Sequence, residues 1–135
     1  MDFGLSEEQV LLQETVRRLL AARCPTSRVR EIMETPPAHD AELWNGLAEL
    51  GVPSILVPEV HGGLGQELLD LAIVAEELGY AATPGPFLAS AMATVALAHA
   101  DDEAVKSKWL PTLASGESVG AIAIGLSYFT PKISM

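Results

Sequence analysis

The sequence predicts an all-α fold, a multi-helix bundle with one short strand near the C-terminal end. Three observations carry this expectation. Residues 44–80 read as a helix, a turn-rich link holding Gly62, Gly63 and Gly65, and a second helix over 66–80. From Leu68 to Leu78 that second helix is charged only at Asp70, Glu76 and Glu77. A helix apolar on almost every face belongs in the middle of a helical body. Caps, prolines and apolar periodicity mark five helices in all, against one Val/Ile-rich run over 119–124.

The elements follow in order. Ser6 is a good N-cap, and Gln9 three residues on completes a capping box, with Leu5 and Val10 placed as a hydrophobic staple. Glu7 and Glu8 add negative charge where the helix dipole favours it. Leu12, Val16, Leu19 and Leu20 give the first helix one buried face. Pro25 ends it, a short helical piece spans 27–34, and Thr35-Pro36-Pro37 cannot continue that piece. Asp40 is the next N-cap, Leu43, Leu47 and Leu50 form an apolar stripe beside Trp44, and Gly51 stands where a helix C-terminus wants glycine. Residues 52–60, with Pro53 and Pro58, read as extended or irregular. Thr83-Pro84-Gly85-Pro86 breaks the chain after the helix over 66–80, and Pro86 suits the first turn of an Ala-rich helix over 87–100. Its small side chains permit close packing on 66–80. Asp101 or Asp102 caps a last helix, with Val105, Trp109 and Leu113 directed inward.

Composition narrows the function classes. The chain has 135 residues, enough for one domain with a real core. A net charge of −10 opposes binding to a phosphate backbone, so no nucleic-acid partner is expected. Arg17, Arg18, Arg23, Arg28 and Arg30 read as a solvated helix face. At 49% hydrophobic residues and a mean hydropathy of +0.28, the surface is expected to need a neighbouring domain or subunit. Cys24 is the sole cysteine, which excludes an internal disulfide and suits a reducing, cytoplasmic setting. The start lacks the pattern of a secretory signal. The uncharged run 78–100 is interrupted at Pro84, Gly85 and Pro86, leaving too short a helix for membrane insertion.

No catalytic constellation is visible from residue types and spacing. Gly63-x-Gly65-x-x meets Leu68 where a dinucleotide fingerprint requires glycine, so the glycines read as a structural turn. His39, His61 and His99 lie far apart with no metal-ligand spacing, and no metal site is expected. Cys24 at a helix end reads as packing. Glu76 and Glu77 are adjacent and diverge by about 100° on a helix, so they do not form a facing acid–base pair.

Four fragments, taken together, resemble the N-terminal helical domain of the acyl-CoA dehydrogenase family. They are Phe3-x-Leu5-Ser6-Glu7-Glu8-Gln9; Trp44-x-x-Leu47-Ala48-Glu49-Leu50-Gly51-Val52 with Val57-Pro58-Glu59-Val60-His61-Gly62-Gly63-Leu64-Gly65; Glu76-Glu77-Leu78-Gly79; and Lys106-x-Lys108-Trp109-Leu110-Pro111-x-Leu113-Ala114-Ser115-Gly116-Glu117. The resemblance implies a part of an FAD-dependent oxidoreductase that removes hydrogens from Cα and Cβ of an acyl-CoA thioester. Its flavin supplies the hydride chemistry. The family's catalytic glutamate lies in a C-terminal domain, so no residue here inherits it. The resemblance places Phe87, Ser90 and Ala91 on the wall of the acyl pocket, and Ile122 and Ile124 on a strand whose neighbours contact the flavin.

After Ile124 the family's Thr/Ser-Glu-Pro motif is missing. The expectation is therefore an N-terminal-like domain over 1–124 and a divergent tail over 125–135, with the middle β-domain and C-terminal helical domain absent. Such a chain would be inactive alone, bind no FAD by itself, and associate with itself or with a partner dehydrogenase subunit. Two rival readings are a non-enzymatic helical module docking on full-length subunits and a free-standing acyl-CoA binder.

Overall fold

The computed structural model describes residues 4–36 and 39–123. Six α-helices run through them: α1 (Glu7–Arg23), α2 (Thr26–Glu34), α3 (Ala41–Glu49), α4 (Leu68–Tyr80), α5 (Phe87–Ala98) and α6 (Glu103–Ala114). Two single 3₁₀ turns, Val52–Ser54 and Glu59–His61, fill the link between α3 and α4 that the sequence left extended or irregular. The short piece after Pro25 is a helix of nine residues, which raises the expected count from five to six. Residues 119–123 of the expected strand are irregular, and Ile124 lies outside the described residues. A strand is held by a ladder partner, and none exists among the described residues.

Local chemistry sets the helix ends. Ser6 Oγ accepts from the Gln9 amide at 3.2 Å while Gln9 Oε1 accepts from the Ser6 amide at 3.1 Å, closing the capping box. Asp40 Oδ1 accepts from the amides of Glu42 and Leu43, and Asp102 Oδ1 from those of Ala104 and Val105. Gly51, at φ +77°, turns the chain out of α3 in the left-handed region that a side chain resists.

The main core joins α1, α2, α3, α4 and the first 3₁₀ turn, with Val16, Leu20, Leu43, Leu47, Ile55 and Val74 nearly free of solvent. Helices α1 and α4 lie side by side and parallel. Gln9 Nε2 donates to Asp70 Oδ1 at 3.0 Å near both N-termini, and Arg17 reaches Glu77 further along. Trp44 Nε1 donates to the Gly116 carbonyl at 2.8 Å, fastening α3 to the end of α6. A second, smaller cluster of Val57, Leu110 and Ala114 with Leu97 joins α5 and α6 to the link.

Three packing expectations change. Helix α4 is not enclosed all round: Leu68 and Leu69 in its first turn are exposed, while Ile73, Val74, Glu77 and Leu78 are buried. Its cover comes chiefly from α1, which spans one flank. Helix α5 packs chiefly on α6 rather than on α4, since Leu97 joins the cluster with Leu110 and Ala114. In α6 the inward face is Leu110, Leu113 and Ala114, and Trp109 stands 43% exposed with Lys108 Nζ 4.8 Å from its ring centroid. Short residues such as Ala114 allow α6 to sit close to Val57, a fit that an inward indole would prevent.

Candidate functional site

The stretch that positions any ligand contact is α5. Pro86 precedes its first turn, and no charged residue occurs from Phe87 to Ala98. One side turns inward through Ser90, Ala93 and Thr94, all buried. The opposite side presents Leu88, Met92 and Val95, spaced by four and three residues and therefore on one face, with exposures of 66%, 47% and 39%. This is an apolar stripe facing out of a helix whose inward side carries hydroxyls.

Two depressions flank α5. The first is a groove of about 260 Å³ between α3, the end of α4 and the turn leading into α5; Leu47, Ala75, Leu78, Phe87 and Leu88 line it. The second is a crevice of about 10 Å³ beneath α5, where Phe87, Ser90 and Ala91 meet Trp44, Leu56 and Leu71. A volume of about 10–15 Å³ is what one water needs, so this crevice is closed to an organic ligand. The structure thus gathers Phe87, Ser90 and Ala91 along one seam, with Ser90 only 4% exposed. Sequence reasoning passed over the outward residues Leu88, Met92 and Val95. Their spacing was readable, but apolar periodicity ordinarily points to the buried side, and here it points outward.

Glu77 is the buried carboxylate. Its side chain is 3% exposed and receives two hydrogen bonds from Arg17, at 2.6 and 2.8 Å. The Arg17 guanidinium holds it below the usual carboxylate range against the opposing effect of burial. A carboxylate stabilised in its ionised form and locked in this pair is a structural anchor, a weak base for abstracting a proton. Glu76 beside it is exposed, so the two do diverge. Arg17 and Arg28 are engaged rather than merely solvated, Arg28 holding Asp40 at 2.8 Å. Burial pushes the Cys24 thiol up, away from the reactive thiolate. His61 Nε2 lies 3.2 Å from Glu103, and His99 Nδ1 lies 2.9 Å from the Val95 carbonyl. No group of three potential metal ligands forms among the described residues. No described helix is long and apolar enough to cross a membrane.

A flavin nucleotide needs donors for its phosphates, and the glycine-rich turn is the natural place to seek them. Its amides are already used. Those of Gly62, Gly63, Leu64, Gly65 and Gln66 donate to Glu59, Pro58, Ser54, Val57 and Ile55 carbonyls. A Cβ on Gly63 would strike the Val57 carbonyl oxygen, so the turn folds onto its own backbone. The glycine-rich turn therefore does not fit a nucleotide cradle. Ile122 is 41% exposed and Ile124 lies outside the described residues.

An all-helical unit with an outward apolar wall and no catalytic constellation among its described residues is the class that this geometry defines. The chain belongs to the acyl-CoA dehydrogenase N-terminal domain family, whose model matches residues 6–117. It is 38% identical over 119 residues to the acyl-CoA dehydrogenase IpdE2 of Mycolicibacterium smegmatis, covering 87% of this chain and 37% of that protein. Its fold is similar to a chain of the ChsE4–ChsE5 complex from Mycobacterium tuberculosis, with a TM-score of 0.80 and 29% identity over 88% of this chain and 33% of that one. An acyl-CoA dehydrogenase complexed with FAD from Bacillus anthracis matches with a TM-score of 0.72 over 86% of this chain and 20% of that one; at 23% identity this likeness concerns the fold alone. The chain spans a little over a third of the length of the curated relatives it matches first.

Proposed function

We propose that this chain is the N-terminal helical part of an FAD-dependent acyl-CoA dehydrogenase, an oxidoreductase acting on the Cα–Cβ bond of acyl-CoA thioesters. Its contribution is one wall of the acyl site. The observation that carries this reading is α5, uncharged along its whole length, with Leu88, Met92 and Val95 facing outward in a chain of net charge −10. Phe87 and Ala91 border that wall, and Ser90 supports it from the inward side. Neither Glu77 nor another described carboxylate acts as the base. FAD is the cofactor of the complete enzyme, and Ile122 and Ile124 are the positions of this chain that would border it there. The partner is a second dehydrogenase chain, in keeping with the likeness to a component of a two-protein complex.

A diazirine-bearing acyl-CoA irradiated with the full chain tests the wall. Label is expected on α5 peptides at Leu88 and Met92, and Met92→Asp should remove most of it while leaving the thermal midpoint unchanged. Label spread evenly over the chain, or confined to other helices, would defeat the reading. Turnover is expected to be absent from the chain alone, with flavin absorbance unchanged when FAD and acyl-CoA are added.

A further inference from the structure

Helix α5 is apolar on its outer side and carries hydroxyls on its inner side. Ser90 and Thr94 lie one turn apart, hence on one face, and are 4% and 2% exposed. Both line the crevice of about 10 Å³ beneath the helix, beside Trp44, Val52, Leu56, Leu71 and Phe87. Other hydroxyls of this chain turn back onto their own backbone. Thr35 Oγ1 donates to the Glu31 carbonyl at 3.0 Å, Thr112 Oγ1 to that of Trp109 at 3.0 Å, and Ser115 Oγ to that of Thr112 at 3.1 Å. The side chains of Ser90 and Thr94 make no such bond among the described residues. Thr83 Oγ1 is the sole unpartnered side-chain atom there that is wholly enclosed, so the two α5 hydroxyls each keep a little accessible surface. The crevice is the space they line. The Trp44 indole N–H is not free to meet them, since it donates to the Gly116 carbonyl.

From these features we infer that the crevice is a binding site for a single water molecule that bridges Ser90 Oγ and Thr94 Oγ1. Its volume is that of one water, for which about 10–15 Å³ suffices. Side chains one helical turn apart have Cβ atoms about 5–6 Å from each other. That span is too long for a direct bond between hydroxyls, and it suits one oxygen placed about 2.7–2.8 Å from each. The water accepts from one hydroxyl and donates to the other, which satisfies two buried groups that are costly to leave unmade. A hollow of this size with apolar walls alone would stay dry. No charged residue lines the crevice, so an ion has no partner there. The site depends on neither an acyl ligand nor a flavin. Phe87 and Ala91 border both the crevice and the outer wall of α5, so the water sets the depth at which that wall rests.

Nuclear Overhauser transfer from water in the full chain tests the site. The methyls of Leu71 and Ala91 line the crevice and carry no exchangeable proton. Both should show cross-peaks at the water frequency with the sign of a water that outlasts molecular tumbling. Ser90→Ala and Thr94→Val, which nearly keep side-chain shape, should each weaken these peaks severalfold. Urea unfolding of the two single variants and the double variant gives a second readout. With a shared water the double loss should be clearly smaller than the sum of the single losses, because the first substitution already removes one of the water's partners. Hydroxyls that bond independently to helix carbonyls would give additive losses. Additive losses, cross-peaks missing from Leu71 and Ala91 in the unaltered chain, or cross-peaks unchanged in the double variant would each overturn the water site.

Discussion

Arg17 and Glu77, sixty positions apart in the chain, form the pair on which the α1–α4 contact is most exposed to pH. Glu77 is buried with its carboxylate held below its ordinary value of 4.5, chiefly by the Arg17 hydrogen bonds. A carboxyl whose folded pKa is depressed contributes stability that is fully present above its unfolded pKa. That contribution is lost as pH falls through 4.5 toward the lower folded value. Arg17→Ala leaves an ionised group buried without its cation. A lower thermal midpoint near neutral pH is expected, moderated by water reaching the exposed Arg17 side. The deficit should shrink in thermal melts taken below pH 4.5, because a protonated Glu77 needs no cation. A deficit that stays constant with pH would assign the effect to lost packing instead.

At the scale of elements, what could be read from sequence was what depends on neighbours a few residues away. Ser6 with Gln9, Asp40, Asp102 and Gly51 stand where the local rules put them, since a cap is satisfied by amides two or three positions along. Orientation was less legible. Trp109 and Leu110 are adjacent and both apolar, and only the position of Val57, more than fifty residues earlier, decides that Leu110 goes inward. The resemblance named Phe87, Ser90 and Ala91 as acyl-pocket wall, and the structure sets them along a closed crevice, while the accessible stripe of Leu88, Met92 and Val95 needed the fold to show which side of α5 is covered. Gly116 illustrates an element joint with a sharp requirement. It sits at φ +76°, its carbonyl accepts from Trp44, and a Cβ there would lie 2.8 Å from that of Ala48. Gly116→Ala is expected to cost about 1–3 kcal/mol in urea unfolding. Gly62→Ala, at φ +83° but facing open space, should cost less. Equal losses at the two sites would show that backbone strain alone governs both.

On the scale of the whole molecule, acidity and apolar exposure are unevenly shared. Charge lies mainly along α1, α2, α4 and α6, while α5 has none and presents Leu88, Met92 and Val95. Trp109, Val119 and Ile122 add further exposed apolar surface. Exposed apolar surface of this kind ordinarily meets another surface. Sedimentation of the 135-residue chain is therefore expected to depend on concentration, with Met92→Asp shifting it toward monomer. A single monomeric species at every concentration would count against it. The all-α class and the family were legible because five helices and four fragments each carry their own local signature. The extent of the open apolar face was not, since it depends on which helices stand next to α5.

The turn over 58–66 carries a further consequence. Three of its residues are glycine, a composition that usually suggests a slack connector, yet five successive N–H groups from Gly62 to Gln66 are committed to carbonyls of the same short link. Such a segment behaves as a knuckle with a fixed setting. Lengthening it by one residue would move every later amide off its acceptor and swing α4 out of register with α1. The distance between α3 and α4 is thus fixed by hydrogen-bond bookkeeping within the link, and variation in length is better tolerated where the backbone is not so fully engaged.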